Sequence, residues 1–157
     1  MDRRIGVLYN DRILKKAAAR FDIDFTSLKE LGGFESYIYE YGPDDDRKIL
    51  RIAHSYHRSV DDLHAEMEWV DYLYNNGGDV AGAVLSSNGL LAEKIETGDS
   101  YFIASSVEKA PGTAPDGSVW SAPLFREWGR AVGKLHRLTK DYKPRKFAFS
   151  ELKGIQL

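Results

Sequence analysis

Few residues in this chain of 157 are spaced in a way that predicts chemistry on its own. The histidines His54, His57, His64 and His136 lack the spacing of metal ligands. Asp44–Asp46 are three consecutive carboxylates, but they follow a Gly-Pro pair typical of a turn, so we expect solvated loop residues and no metal site. The sequence also has no Gly-x-Ser-x-Gly elbow, His-Glu-x-x-His motif or Walker loop. Any active site must therefore be assembled by the fold.

Charge and composition exclude several classes of protein. With 22 Lys plus Arg against 24 Asp plus Glu, the net charge is −2, which disfavours binding to nucleic acid or to an anionic membrane. The absence of cysteine excludes disulfides, thiolate nucleophiles and cysteine-ligated metals, and it suits a cytoplasmic protein. The apolar stretch at residues 5–8 is too short for a signal peptide or a membrane span. We therefore expect a cytoplasmic protein with one main domain.

The first third of the chain predicts a helix followed by a hairpin. Apolar residues at helical spacing behind Asn10 indicate a helix that ends near Asp22. Residues 36–41 alternate tyrosines with other side chains and predict a strand. A second strand is expected over 48–53, after a polar turn. The pattern over 25–31 is ambiguous, and we count it as a further strand.

The clearest helix is predicted between Ser59 and Asn76. Ser59 with Asp62 forms a capping-box pattern, and the Asn-Asn-Gly-Gly sequence at 75–78 is a typical helix stop. Its apolar face is formed by residues spaced three and four apart, namely Val60, Leu63, Met67, Val70 and Tyr74.

Three consecutive antiparallel strands are predicted next, over 83–87, 90–97 and 101–108, because Asn-Gly and Gly-Asp turns separate them. The Pro- and Gly-containing segment 110–117 is the main internal boundary.

A second long helix is predicted beyond this boundary, with Ser121 as its cap. Gly129 and Gly133 lie four residues apart and would permit close approach of another backbone. The apolar stripe of this helix contains Leu124, Trp128, Ala131, Leu135 and Leu138.

This order of elements is the layout of a kinase N-lobe, and five segments resemble the aminoglycoside phosphotransferase family. They are LGGFESYIYEY at 31–41, KILRI at 48–52, HAEMEWVDYL at 64–73, SVEKAPG at 106–112 and REWGRAVGKLHRL at 126–138. The resemblance implies an α+β fold. We expect a protein-kinase-like N-lobe with an antiparallel sheet of five or six strands and one packed helix, then a hinge and a C-lobe helix.

The resemblance assigns Arg51 to the basic position on the third strand that holds the phosphates of ATP. It assigns Glu66 to the helix glutamate that orients this basic residue. Glu66 lies at the edge of the helix's apolar face, where a long basic side chain could reach it. Without the resemblance, an exposed arginine and a solvated glutamate would be the favoured interpretation.

The other nucleotide-binding residues are also implied by the resemblance. Ile38 and Ile49 would enclose the adenine ring, although ordinary core residues would show the same pattern. Gly32, Gly33 and Ser36 belong to the turn that covers the phosphates in the family.

The segment SVEKAPG resembles the hinge between the two lobes. The Val107 carbonyl and the Lys109 N–H would then contact the adenine edge. The alternative is an ordinary exit from a strand into a loop.

The family's His-Gly-Asp catalytic loop and its magnesium ligands are not found in this sequence. We therefore expect residues 1–112 to be an N-lobe and 113–157 to be a linker and the start of a C-lobe. The parent would be an ATP- and magnesium-dependent phosphotransferase acting on a hydroxyl of a small molecule, and this chain alone would be inactive.

A noncatalytic binding or dimerisation module is the alternative function. In that case Arg51 and Glu66 would form a structural pair, and the second long helix would bind a partner. In a complete kinase, C-lobe helices would cover the apolar face of the second long helix. We therefore expect a homodimer through residues 121–140, and the alternative is that this helix folds back onto the chain's own sheet.

Overall fold

A computed structural model describes residues 3–112 and 120–144 of the chain. The helices and strands follow the sequence patterns closely, because most of them are bounded by capping or turn residues. In chain order they are α1 (Arg3–Leu8), α2 (Asp11–Ala19), a 3-10 turn (Phe25–Ser27), β1 (Lys29–Gly32), β2 (Ser36–Tyr41), β3 (Lys48–His54), α3 (Val60–Asn75), β4 (Ala83–Val84), β5 (Glu93–Glu96), β6 (Tyr101–Glu108) and α4 (Ala122–Thr139).

Side-chain caps fix where the helices begin. The Asn10 side chain accepts hydrogen bonds from the first turn of α2. At α3, Ser59 and Asp62 form the predicted capping box, in which each side chain bonds the other residue's backbone N–H. The chain leaves α3 through Gly77, whose φ of 79° lies in the left-handed region. At the start of α4, the Ser121 side chain accepts a hydrogen bond from the N–H of Leu124.

The predicted antiparallel sheet is confirmed, with six strands in the order β1-β2-β3-β6-β4 and with β5 also paired to β6. The prediction of three consecutive long strands was wrong in detail, because β4 and β5 pair with successive halves of β6. Both are also shorter than expected. The hydroxyl of Ser86 accepts the N–H groups of Asn88 and Leu90 and donates to Glu93, so the residues between β4 and β5 form a turn.

Helices α1 and α2 cover one face of the sheet, which we call the closed face. It is defined by five side chains that are at most 8% exposed, namely Tyr39, Tyr41, Leu50, Ile52 and Phe102. Ile5, Ile13, Leu14 and Ala17 pack against them. Helix α1 was not predicted, since its six residues gave no periodic signal.

The other face, which we call the open face, carries the alternate residues of the same strands. Helix α3 covers one part of it through Leu63 and Met67, which cluster with Ile103 and Ala92. The remainder of the open face has no helix over it in the described part of the chain. It is defined by four half-buried residues, Ile38, Ile49, Arg51 and Val107.

Helix α4 lies beside α3 but buries none of its own residues. Its contacts with α3 are peripheral: Trp69 Nε1 donates to Thr139 Oγ1 over 3.1 Å, and the Leu135 side chain lies against Gly78. Within the described residues nothing approaches Gly129 or Gly133 closely. None of the described helices has the length and apolar character needed to cross a membrane.

Candidate functional site

Strand register brings the predicted nucleotide-binding residues onto one face. Ile38 of β2 pairs with Arg51 of β3, and Ile49 of β3 pairs with Val107 of β6. Directly paired residues of antiparallel strands point to the same side of a sheet. All four side chains are therefore on the open face, beside the part covered by α3.

The side chain of Arg51 is held in place by two partners. Its Nε donates to the Ser36 hydroxyl over 3.2 Å, and its Nη1 donates to Glu66 Oε1 over 3.0 Å. Both charged side chains are 30% exposed, so the ion pair lies at the rim of the cleft beside α3. The structure thus brings together the two residues that the sequence analysis paired, and it joins them to Ser36.

A second arginine, Arg58, contacts the same carboxylate. Its Nη1 donates to Glu66 Oε2, so each oxygen of Glu66 has a different guanidinium partner. Two cations around one anion leave a local charge of +1, which favours an anionic ligand. Arg58 was not predicted from the sequence. The sequence pattern that could have identified Arg58 is the four-residue spacing of Arg58, Asp62 and Glu66, because this spacing places all three on one side of the helix start.

The glycine turn between β1 and β2 lies next to Arg51. Gly32 has a φ of 84°, a backbone conformation that favours glycine. At Gly33 a side chain is excluded by space, because a Cβ there would lie 1.9 Å from the carbonyl oxygen of Ser36. The turn therefore folds tightly onto Ser36, the residue that holds Arg51. The backbone of the turn at Gly32 and Gly33 is exposed.

The hinge residues remain part of the sheet in this structure. The Lys109 N–H, expected at the adenine edge, donates to the Arg47 carbonyl over 2.9 Å. The Lys109 side chain donates to Glu40 over 2.8 Å, and this hydrogen bond holds the pKa of Glu40 below its usual range. Val107 is paired with Ile49. An adenine contact from Lys109 N–H would thus require its bond to Arg47 to open.

The aspartates and histidines set aside in the sequence have structural roles or lie at the surface. Asp44 pairs with Arg47 within the loop between β2 and β3, and Asp46 pairs with Lys48, the first residue of β3. His54 is 1% exposed, and its Nδ1 accepts the N–H of Tyr56. No group of three or more metal-binding side chains occurs among residues 3–112 and 120–144.

A family model described as "Phosphotransferase enzyme family" matches residues 27–152. The amicoumacin kinase of Bacillus subtilis (strain 168) is 38% identical over 138 residues, which are 87% of this chain and 41% of that protein. The chain therefore spans less than half the length of this relative.

Solved structures give a consistent result. The amicoumacin kinase hAmiN, in complex with AMP-PNP, Ca²⁺ and Ami, superposes with a TM-score of 0.85 at 32% identity, over 93% of this chain and 45% of that one. A microcompartment-associated aminopropanol kinase superposes with a TM-score of 0.70 at 19% identity, over 89% of this chain and 45% of that one. This second likeness supports the fold only. Since the family model covers most of the sequence, the chain belongs to the phosphotransferase enzyme family.

Proposed function

We propose that this chain is the ATP-binding portion of a phosphotransferase that transfers the ATP γ-phosphoryl group to a hydroxyl of a small molecule. The observation that carries the proposal is the position of Arg51, which Ser36 and Glu66 hold beside a tight glycine turn on the open face. A cationic fork beside uncovered backbone N–H groups is suited to bind phosphate oxygens.

The residues present fit a nucleotide. Arg51 keeps Nη2 without a hydrogen-bond partner in the described part of the chain, and the local charge is +1. Ile38, Ile49 and Val107 form a half-buried apolar surface on the same face, which suits a planar ring. When bound, ATP supplies the phosphoryl group, and a divalent cation neutralises its charge.

Each of these residues has a defined part in the proposed function. Arg51 would bind phosphate oxygens and offset their negative charge. Glu66 would orient Arg51 through the 3.0 Å hydrogen bond. The turn at Gly32–Gly33 would contact the phosphates through its backbone, and Ile38 and Ile49 would contact the base. The magnesium ligands and the acceptor site are assigned to the rest of the parent, because the relatives are more than twice as long.

The acceptor is proposed to be a small molecule because two of the similar proteins are named as kinases of amicoumacin. The noncatalytic alternative, a dimerisation module, would leave the open face without a function.

We also propose that the chain by itself forms a homodimer through residues 121–140. Trp120, Phe125 and Trp128 lie in a row and are between 45% and 55% exposed. Sedimentation of Trp128→Asp beside the wild type tests this proposal. Leu135 is a poorer choice, since it already contacts Gly78. A dimer that dissociates in Trp128→Asp would support the proposal, and a monomeric wild type would contradict it.

Titration calorimetry with ATP and Mg²⁺ tests the proposed function. We expect the 157-residue chain to bind ATP with a Kd on the order of high micromolar to millimolar, because it spans less than half the length of its amicoumacin kinase relatives. Arg51→Met should abolish detectable binding, and Arg130→Met, in an exposed pair on α4, should not. Equal affinity in wild type and Arg51→Met would contradict the proposal, and submicromolar magnesium-dependent affinity would reveal a metal site unaccounted for.

A further inference from the structure

The carboxylate of Glu66 is shared between two arginines in a way that affects what Arg51 can bind. An arginine and a glutamate that meet alone commonly form a bidentate pair, in which two N–H groups of the fork bind both carboxylate oxygens. Here Arg51 donates only to Oε1, and Arg58 donates to Oε2.

Arg58 is fixed for this contact by its own surroundings. Its backbone N–H donates to the carbonyl of His54, the last residue of β3, over 3.4 Å. It directly precedes Ser59, the cap of α3, so its side chain emerges where the helix begins. Asp62 is the other carboxylate near it, and that side chain is already hydrogen-bonded to Ser59. Glu66 is therefore the carboxylate available to Arg58.

The consequence for Arg51 follows from counting its donors. A guanidinium has five N–H groups in a rigid fork. The hydrogen bond to Ser36 uses Nε, and the bond to Glu66 uses one hydrogen of Nη1. Nη2 has no partner among residues 3–112 and 120–144, so the outer edge of the fork stays available for a ligand.

We propose that Arg58 is a positioning residue of the nucleotide site: by holding Oε2 of Glu66, it keeps Arg51 from forming a bidentate pair and leaves Arg51 Nη2 free for a phosphate oxygen. The proposal rests on the proposed function for its ligand. Its geometric part concerns only Arg51, Arg58 and Glu66.

ATP affinity of Arg58→Met and Arg58→Lys, measured by calorimetry, tests this role. Arg58→Met should weaken binding about tenfold, as expected for one charge-assisted hydrogen bond lost to the phosphate. Arg58→Lys should stay within about twofold of wild type, because an ammonium group can still occupy Oε2. Arg20→Met is the matched control, since it removes a similarly exposed guanidinium that pairs with Glu93 elsewhere.

A second measurement does not need the nucleotide. In ¹⁵N-labelled protein without ATP, one Nη group of Arg51 should be protected from exchange in the wild type, and both should be protected in Arg58→Met. A merely structural role for Arg58 would lower Tm without changing this pattern. Thermal melts of all variants show that they are folded before they are compared.

The outcomes separate this proposal from the proposed function. If Arg51→Met abolishes ATP binding but Arg58→Met binds like the wild type, Arg58 is not a positioning residue and the proposed function stands. The same conclusion follows if the Nη pattern of Arg51 is identical in wild type and Arg58→Met. If the wild type binds no ATP at millimolar concentration, the proposed function fails, and this role of Arg58 fails with it.

Discussion

The two faces of the sheet are formed by alternate residues of the same strands, but only one of them is fully covered. On the closed face, Leu50 and Ile52 are 0% exposed beneath α1 and α2. On the open face, their neighbours Ile49 and Arg51 are half-buried. Strand β3 thus contributes side chains both to the buried core and to the accessible candidate site. The contrast indicates that stability resides mainly in the closed face, whereas the proposed nucleotide site lies on the open one.

The two faces should differ most in how much the free energy of unfolding falls when an isoleucine on each face is replaced by alanine. Ile52→Ala is expected to destabilise the chain by about 2–5 kcal/mol, because it leaves a cavity in the closed face. Ile49→Ala, three residues earlier on β3, should lower the free energy of unfolding by about 1 kcal/mol, since its side chain is only half-buried. Urea denaturation of both variants measures the two values. Equal losses would show that the open face is covered in solution.

A change of pH is expected to have a smaller effect on the stability of the chain. Burial is the main cause that lowers the pKa of His54, with a lesser contribution from His57. The unfolded chain then binds more protons below about pH 6.5, so stability is complete above that pH and is lost as pH falls through the folded pKa. The slope for one histidine is at most about 1.4 kcal/mol per pH unit.

Urea midpoints between pH 7.5 and 5 measure this dependence, and His54→Asn is expected to flatten it. His64 contributes in the same direction, because burial also lowers its pKa, so part of the slope should remain in the variant. A midpoint that rises on acidification would mean that His54 is protonated in the folded chain.

The smallest effect on stability is expected for a substitution in α4, which covers neither face of the sheet. Lys134 pairs with Asp79 over 3.1 Å, but the side chains are 36% and 70% exposed. An ion pair of this kind contributes at most about 1 kcal/mol. Lys134→Ala should therefore lower Tm by at most about 2–4 °C for a domain of this size. A loss comparable to that of Ile52→Ala would show that α4 belongs to the folded core.

Much of this architecture was predictable because its signals are local. The capping box of Ser59 and Asp62 fixes the start of α3, and the tyrosine alternation on β2 fixes which side chains share a face. Once β3 was identified, the position of Ile49 on the same face as Arg51 followed from the two-residue period of a strand. These features depend on residues that are close in sequence.

Other features depend on contacts that no local pattern encodes. The Lys109 N–H donates to the Arg47 carbonyl, one residue beyond the last pair of the β3–β6 ladder, Lys48 and Glu108. Arg58 was missed because its partner Glu66 already had a predicted role, and a sequence does not show that one carboxylate serves two arginines. The candidate site's residues were proposed through family resemblance, and the hydrogen bonds among Ser36, Arg51, Arg58 and Glu66 became visible only in the three-dimensional structure.

The central claim, that the open face binds a nucleotide, is tested most directly by mapping where ATP binds. Backbone amide shifts should be followed in a ¹H–¹⁵N titration of the chain with ATP and Mg²⁺. The largest changes are expected at the glycine turn 32–36, at Ile49 to Arg51 and at Val107, with little change at Ile13 or Ala17 of α2. Changes concentrated on α2 or α4, or none at millimolar ATP, would contradict the account.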